Sequence, residues 1–358
     1  MAEVKGNLGE WSELLTLGTI LVAGGGYSAD ENQNQIRDQF HKVLEVIIAE
    51  NSKGSEQVFR LDKEEVQILS NGIEMKKVSK SELEEKLKVF LKDLTDGNYK
   101  KTFALNSGVE VMNILARRTL SADSSETTSD LELVVEDPIT GGPTPRSGFS
   151  IKSQLGQAAT LLNSSGSTNI IYRVVKNDSA SSAELPDFVP SSHKPNINKL
   201  YSAGYHLEFH KYQRDVFFNN LTYIDSQLPF NLAKVIINHY LFQDTNDYAT
   251  TVERTYPNAD QQSEQIIFKF KELLGAISMG LRPAKVWKGN PSKFKGLIVV
   301  KSDGQLLFYY LVTRLNFEEF LYKSVRFDRP DTSRHKYGSL YSENGETFIK
   351  LNFQIRFK

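Results

Sequence analysis

The feature that most constrains this chain is a polar step within an apolar hairpin. Residues 129–135 (SDLELVV) and 148–153 (GFSIKS) have the composition of two short strands, with turn-forming residues between them. Asp130 opens the first strand, and Lys152 lies near the end of the second. Pairing of the two strands therefore brings a carboxylate and an ammonium group together at one end of the hairpin.

Strand alternation decides which side chains of the hairpin are available for chemistry. Ser150 and Lys152 fall on one face of their strand, and Phe149 and Ile151 on the other. With the apolar face buried, the polar face is left free. Hard oxygen ligands hold Mg²⁺, and a lysine beside the metal orients or deprotonates a water. An acid and a lysine on one strand pair are typical of metal-dependent nucleases, so the hairpin predicts phosphodiester hydrolysis. Each residue alone also has a structural explanation, as a turn former or a snorkelling side chain.

The helix predicted over residues 7–23 offers a third charged group. Its apolar residues form a stripe made of Trp11, Leu14, Leu15, Leu17, Leu21 and Val22. At about 100° per residue, Glu10 is in line with this stripe, where a carboxylate is costly unless it is paired or bound to a cation. Glu13 lies on the border of the stripe and is easier to leave solvated.

Composition narrows the class of protein. The chain has 358 residues, of which 39% are hydrophobic and 24% charged, as in a soluble globular protein large enough for two cores. It has no apolar run near the ~20 residues of a membrane span and no signal-peptide pattern. The absence of cysteine excludes disulfides and thiolate metal sites, and it fits a cytoplasmic location. A net charge of −1 does not favour a protein that coats nucleic acid, although a specific binder can still segregate its lysines.

The chain has one strong candidate boundary. Residues 176–198 are rich in Ser, Pro and Asp. We predict an N-terminal part with the nuclease core over residues 1–178, a linker or long loop over 179–198, and a C-terminal DNA-recognition part over 199–358. Helices are predicted over 7–23, 81–95, 109–118, 228–243 and 263–281. Strands or hairpins are predicted over 57–78, 169–175, 295–312 and 346–357.

Several segments carry a resemblance to a known family. They are residues 6–13 (GNLGEWSE), 27–32 (YSADEN), 148–156 (GFSIKSQLG), 160–163 (TLLN), 168–169 (TN), 333–338 (SRHKYG) and 351–357 (LNFQIRF). In this order, they resemble the HpaII family of type II restriction endonucleases. The resemblance extends from residue 6 to 357 and so covers nearly the whole chain.

The resemblance implies a fold and an activity. The family is similar to the PD-(D/E)XK nucleases, which implies an α/β (α+β) fold with a mixed β-sheet flanked by helices and further helical and β elements. It also implies Mg²⁺-dependent cleavage of double-stranded DNA. By position, Asp130 matches the metal-binding Asp, Lys152 the catalytic Lys, and the Ile151 carbonyl a further metal ligand.

The chain departs from the superfamily pattern at Ser150, where an Asp or Glu is usual. No acid follows Lys152 until Asp178, so a later helix does not replace the missing carboxylate. We therefore predict that Glu10 does so, with Glu13 as second choice and Glu132 as third.

Base reading in the major groove uses polar and basic side chains. The candidates near the hairpin are Gln154, Asn163, Thr168 and Asn169. Two basic loops add Arg282, Lys285 and Lys288, and Arg334, His335 and Lys336. For each group the plain alternative is a capping or solvated loop.

The resemblance suggests a short palindromic site such as CCGG, in a prokaryotic restriction-modification system. The cognate DNA methyltransferase shares the site but need not bind this chain. A palindrome suits a homodimer, although a monomer can nick both strands in turn. Two alternatives stay open: a structure-selective nuclease such as a junction resolvase, and a non-cleaving DNA-binding module whose site has decayed at Ser150.

Overall fold

The structure is a computed structural model that describes most of the chain. The described residues are 4–51, 55–97, 99, 101–120, 129–156, 159–177, 185–186, 197–242, 244–257, 260–289, 294–310, 314–332 and 335–358. The helices are α1 (Leu8–Ala23), α2 (Lys80–Asp96), α3 (Asn106–Ile114), α4 (Asn198–Ser202), α5 (Asp215–Thr222), α6 (Leu228–Leu241), α7 (Tyr248–Thr255), α8 (Gln261–Ser278) and α9 (Arg314–Ser324).

The strands follow the same numbering along the chain. They are β1 (Gly25–Ala29), β2 (Gln35–Asn51), β3 (Ser55–Leu61), β4 (Glu65–Ser70), β5 (Ile73–Ser79), β6 (Leu131–Val135), β7 (Ser147–Ser153), β8 (Thr160–Leu162), β9 (Ile170–Lys176), β10 (Tyr205–Tyr212), β11 (Phe294–Val300), β12 (Leu306–Tyr310), β13 (Val325–Asp328), β14 (Leu340–Glu343), β15 (Glu346–Leu351) and β16 (Gln354–Phe357).

The chain divides into two compact units. Residues 1–159 and 291–317 form the first unit, and residues 160–290 and 318–358 form the second. The predicted boundary at 179–198 differs from this division, and most of that stretch lies outside the described residues. The chain returns to the first unit because the hairpin of β11 and β12 joins the sheet of that unit beside β7.

The first unit is built on a mixed nine-stranded sheet in the order β1-β12-β11-β7-β6-β2-β3-β4-β5. β7 pairs antiparallel with β6, with Leu131 opposite Phe149, and parallel with β11 on its other side. The predicted hairpin is thus confirmed, and it lies inside the sheet. The mixed sheet with flanking helices confirms the α+β class.

α1 begins and ends where its sequence dictates. Asn7 and Glu10 form a reciprocal capping box at the first turn, and Gly24 ends the helix at a φ of 72°, which glycine adopts without strain. Gly18 allows α2 to approach, because a Cβ there would lie 2.6 Å from Leu87. The apolar face of α1 packs into one core with residues of the hairpin: Leu131, Leu133, Phe149 and Ile151. This packing fixes α1 over the β6–β7 strand pair.

The second unit contains a four-stranded antiparallel sheet, β10-β9-β15-β14, and a three-stranded one, β13-β16-β8. The single strand predicted over 346–357 was wrong, since β15 and β16 belong to different sheets. The strand is interrupted at Asn352. Its side-chain amide donates to the Ser165 carbonyl, and its own carbonyl accepts from the Tyr240 hydroxyl. In the part of the chain that the structure describes, no helix is long and apolar enough to cross a membrane.

Candidate active site

The end of the β6–β7 hairpin places a carboxylate on the backbone of β7. The Asp130 amide donates to the Phe149 carbonyl at 2.9 Å, and the Ile151 amide donates to Asp130 Oδ2 at 2.5 Å. Just before β6 begins, the Asp130 carboxylate thus accepts the hydrogen bond that a backbone carbonyl of a neighbouring strand would otherwise accept from Ile151. Residues two apart in a strand direct their carbonyls to the same side, so the Ile151 carbonyl, like that of Phe149, points to the β6 side of β7.

Glu13 reaches this region from α1. Ser12 Oγ lies 2.8 Å from Ser153 Oγ, which ties α1 to the end of β7. Burial raises the pKa of Glu13 to about 8, with further upward contributions from the charges of Asp130 and Glu10. The positive charges of Lys152 and Arg117 oppose this rise in pKa. Glu13 is thus within electrostatic range of both predicted catalytic residues.

Asp130 is perturbed in the same direction. Burial raises the pKa of Asp130, while Lys152 and the hydrogen bond from the Ile151 amide lower it. The two carboxyl groups, on Glu13 and Asp130, therefore share a site where carboxylate charge is poorly compensated by the protein. A bound cation would relieve that imbalance of charge, because opposite charge stabilises the ionised form.

A cleft of about 400 Å³ opens beside these groups. Its lining residues are Asn7, Leu8, Gly9, Glu13, Tyr99, Lys101, Ile151, Lys152, Ser153, Gly156 and Ala159. Lys101 is exposed and adds a second cation to the cleft. Lys101 lies in a polar loop with no motif around it, so the sequence alone gives no signal for its place in the cleft.

A larger cleft, of about 740 Å³, lies in the second unit along α6 and α8. Its lining residues are Asp225, Gln227, Asn231, Gln261, Gln262, Glu264, Gln265, Ile266, Phe268 and Lys269. Most are neutral amides or exposed helix residues, and none belongs to the perturbed carboxyl pair. We therefore place the candidate site in the smaller cleft, where the chemistry is.

Glu10 has a different environment from the one predicted for it. Its Oε2 accepts from the Asn7 amide at 2.7 Å, as half of the capping box. The structure thus brings Glu13, the second choice, into the cleft with Lys152. α1 is buried on more than its apolar stripe, since Ser12 and Thr16 are both fully buried. The border of the stripe, where Glu13 lies, is consequently partly shielded from water, although Glu13 still lines the cleft.

Ser150, where the acid is missing, and Glu132, the third candidate to replace it, have other surroundings. Ser150 is buried within β7. Glu132, the third choice, acts on Arg146, whose pKa is raised mainly by its hydrogen bond to Glu56 and also by Glu132. Glu132 is not among the groups that perturb Glu13.

A buried arginine lies behind Glu13. Arg117 is 5% exposed, and its Nη1 donates to Gln57 Oε1 at 3.2 Å. Gln57 is itself held by the Leu115 carbonyl at 2.9 Å. Burial lowers the pKa of Arg117, while Glu50 and Glu13 raise it. Arg117 is the first of two consecutive arginines after an apolar helix, and nothing in that pattern distinguishes a buried arginine from a solvated one.

The donor set suits a hard divalent cation. Among the described residues there is no preformed group of three or more His, Cys, Asp or Glu side chains that would hold a metal ion. The available ligands are the carboxylates of Asp130 and Glu13 and the carbonyl of Ile151. All three are hard oxygen donors, and Mg²⁺ commonly uses one or two carboxylates and completes its shell with water and phosphate.

The predicted base-reading residues have mixed surroundings. Gln154 and Asn163 are exposed, and Gln154 Nε2 donates to Gln33 Oε1 at 2.8 Å. Thr168 and Asn169 are 0% exposed and hydrogen-bonded within the second unit. The interpretation of Thr168 and Asn169 as base readers is therefore not supported by this arrangement, because neither side chain reaches the surface.

The two basic loops present exposed cations. Arg282, Lys285 and Lys288 are all exposed, and Arg282 Nη1 also donates to the carbonyls of Ile277 and Leu281 at the end of α8. Buried Asn220 fixes the backbone of this loop through the carbonyls of Arg282 and Lys285. In the other loop, His335 is half-buried and Lys336 exposed. Arg334 lies outside the described residues.

Comparison with known proteins gives the family. The profile of the HpaII restriction endonuclease family matches residues 7–357. A type II restriction enzyme, HpaII of Haemophilus parainfluenzae, is 34% identical over 358 residues, which cover 99% of this chain and 98% of that protein. No solved structure matches the chain. The chain belongs to the HpaII family of restriction endonucleases, which are type II site-specific endonucleases with DNA as their partner.

Proposed function

We propose that this protein hydrolyses double-stranded DNA in the presence of Mg²⁺ at a short palindromic site such as CCGG. We further propose that β6, β7 and α1 form a PD-(D/E)XK core. The observation that carries the proposal is the carboxyl pair of Glu13 and Asp130 around Lys152, at the end of a hairpin inside a mixed sheet.

The chain's own residues divide the work of the site. Asp130, Glu13 and the Ile151 carbonyl are the groups that would hold Mg²⁺, which when bound polarises the scissile phosphate and lowers the pKa of its water. Lys152 orients the attacking water and stabilises the developing negative charge. Lys101 lines the same cleft and is suited to a neighbouring phosphate. In this scheme Glu13 replaces the acid missing at Ser150, which favours a cleaving enzyme over a decayed binding module.

The proposal is tested by incubating the purified protein with unmethylated plasmid and phage DNA, in Mg²⁺ and in EDTA, and sequencing the ends. We expect discrete fragments in Mg²⁺ alone, all ending at one short palindrome. A smear, or cutting that depends on branched DNA, would replace the proposal with a non-specific or structure-selective nuclease. Intact DNA with folded protein, in Mg²⁺ and in Mn²⁺, would leave only a binding role.

A further inference from the structure

The second unit contains a buried polar cluster that the catalytic scheme does not use. Asn352 Nδ2 donates to the Ser165 carbonyl at 2.8 Å and to Asn169 Oδ1, and Thr168 Oγ1 lies 3.2 Å from Asn352 Oδ1. The side chains of Thr168, Asn169 and Asn352 are all 0% exposed. We call these three residues the asparagine cluster. Such a network is stable only when its members satisfy one another, and it then fixes one conformation.

The asparagine cluster has one connection that leads to a cationic turn. Asn169 Nδ2 donates to the His335 carbonyl at 2.9 Å and to Gln213 Oε1 at 2.8 Å. On the other side of the turn, the Gly338 amide donates to the Lys350 carbonyl at 2.9 Å. A buried side chain thus determines where the backbone of His335 lies.

The turn itself is strained. His335 and Lys336 have φ values of 65° and 49°, a left-handed conformation that is uncommon for residues other than glycine, although histidine adopts it more often than lysine does. Two consecutive residues of this kind persist only where surrounding contacts hold them, and such strain is concentrated at functional sites. The contacts at His335 and Gly338 therefore hold the backbone from which the exposed side chain of Lys336 extends.

We propose that Asn169 is a positioning residue for DNA binding: through the His335 carbonyl, it holds the strained turn that presents Lys336 to the DNA. The inference rests on the proposed function. Preorganisation of the turn removes the entropy loss of ordering it on binding. Buried Asn220 holds the backbone of the other basic loop in the same way, so a buried amide beneath a cationic loop occurs twice in this unit.

The test is a double-mutant cycle on DNA affinity, made in the cleavage-deficient Lys152→Ala background with a fluorescent duplex that carries the mapped site. Asn169→Ala and Lys336→Gln are each expected to weaken binding roughly tenfold. Their double variant is expected to bind about as weakly as either single one, because Asn169 acts through Lys336. Additive losses would overturn the inference, as would an Asn169→Ala variant that binds like its parent.

Two controls separate positioning from a general loss of stability. Gln213→Ala removes the other acceptor of Asn169 Nδ2, and Tyr172→Phe removes a buried hydrogen bond to Ala233 in the same unit. Both are expected to bind DNA within about twofold of the parent. If Tyr172→Phe weakens binding as much as Asn169→Ala at a similar melting temperature, the effect is one of stability and the inference fails.

A second pair of variants covers the case in which Asn169→Ala does not fold. His335→Gly and His335→Asn both accept a positive φ, but glycine also frees the turn. We expect His335→Gly to bind several-fold more weakly than His335→Asn, and equal affinities would overturn the inference. Wild-type protein is assayed for cleavage in parallel. Failure of the wild type to cut would reject the proposed function, whereas normal cutting with an additive cycle rejects only the role of Asn169.

Discussion

The two polar clusters of this molecule, one in each unit, differ in how deeply they are buried and in how they are satisfied: the asparagine cluster is fully buried, whereas Glu13 and Asp130 are half-buried. The asparagine cluster consists of neutral groups that hydrogen-bond to one another. The carboxyl pair of Glu13 and Asp130 consists of like charges with raised pKa values, relieved in part by Lys152 and Arg117. A cluster whose groups hydrogen-bond to one another fixes the conformation of the surrounding backbone. A cluster with excess charge is suited to a ligand of opposite charge.

The largest expected effect comes from the charges at the hairpin end. Asp130→Ala and Lys152→Ala should each lower the cleavage rate by about a thousandfold or more, because they remove groups that act on the transition state. Specific DNA binding should persist in a gel-shift assay. The matched control is Glu132→Ala, on the same strand but beside Arg146. Its rate should stay within about tenfold of wild type, and normal cutting by Asp130→Ala or Lys152→Ala would reject the site.

The next effect separates the two acids of α1. Glu13→Gln should lower cleavage by roughly a hundredfold, since an isosteric amide cannot supply carboxylate charge. Glu10→Gln should cost less than about tenfold, because Glu10 serves the helix cap, whose loss is typically worth ~1 kcal/mol. Single-turnover rates at saturating Mg²⁺ make the comparison. Greater damage from Glu10→Gln would restore the ranking that the sequence alone predicted.

A smaller effect tests the asparagine cluster as scaffold. Asn352→Ala leaves Asn169 Oδ1 without this donor and removes one of the three donors to the Ser165 carbonyl, which keeps its bonds from Thr168. We expect the free energy of unfolding to fall by about 2–3 kcal/mol. Urea denaturation followed by fluorescence measures it, with exposed Asn163→Ala as a control expected to change stability by less than about 0.5 kcal/mol. Equal stabilities of the two variants would show that the cluster is not a scaffold.

The smallest effect is a pH dependence of stability in EDTA. Because the folded protein raises the pKa of Glu13 from 4.5 to about 8, the contribution of this group to stability is complete below pH 4.5. It is lost as the pH rises through about 8. Between pH 5 and 8.5, wild type should therefore lose stability relative to Glu13→Gln. Urea denaturation at each pH measures the free energy of unfolding of the two proteins. If the two free energies change with pH in the same way, the buried environment of Glu13 is contradicted.

The sequence predicted local structure better than three-dimensional neighbourhoods. Helix α1, with its glycine stop, the β6–β7 hairpin and the β11–β12 hairpin at Asp303-Gly304 could all be predicted, because caps, turns and alternation are local signals. Asp130 and Lys152 come together for the same reason. Periodicity does not show which distant elements pack against a residue. For that reason the sequence did not predict the position of Glu13 or the burial of Arg117, Thr168 and Asn169.

The central claim is that Glu13 and Asp130 together hold a divalent cation. Its most direct test is Mn²⁺ binding to the purified protein at pH 8, measured by electron paramagnetic resonance for wild type, Glu13→Gln, Asp130→Asn and Glu10→Gln. We predict that wild type and Glu10→Gln bind Mn²⁺ with similar affinity and that Glu13→Gln and Asp130→Asn bind at least about tenfold more weakly. Unchanged binding by Glu13→Gln, with loss in Glu10→Gln, would contradict the account.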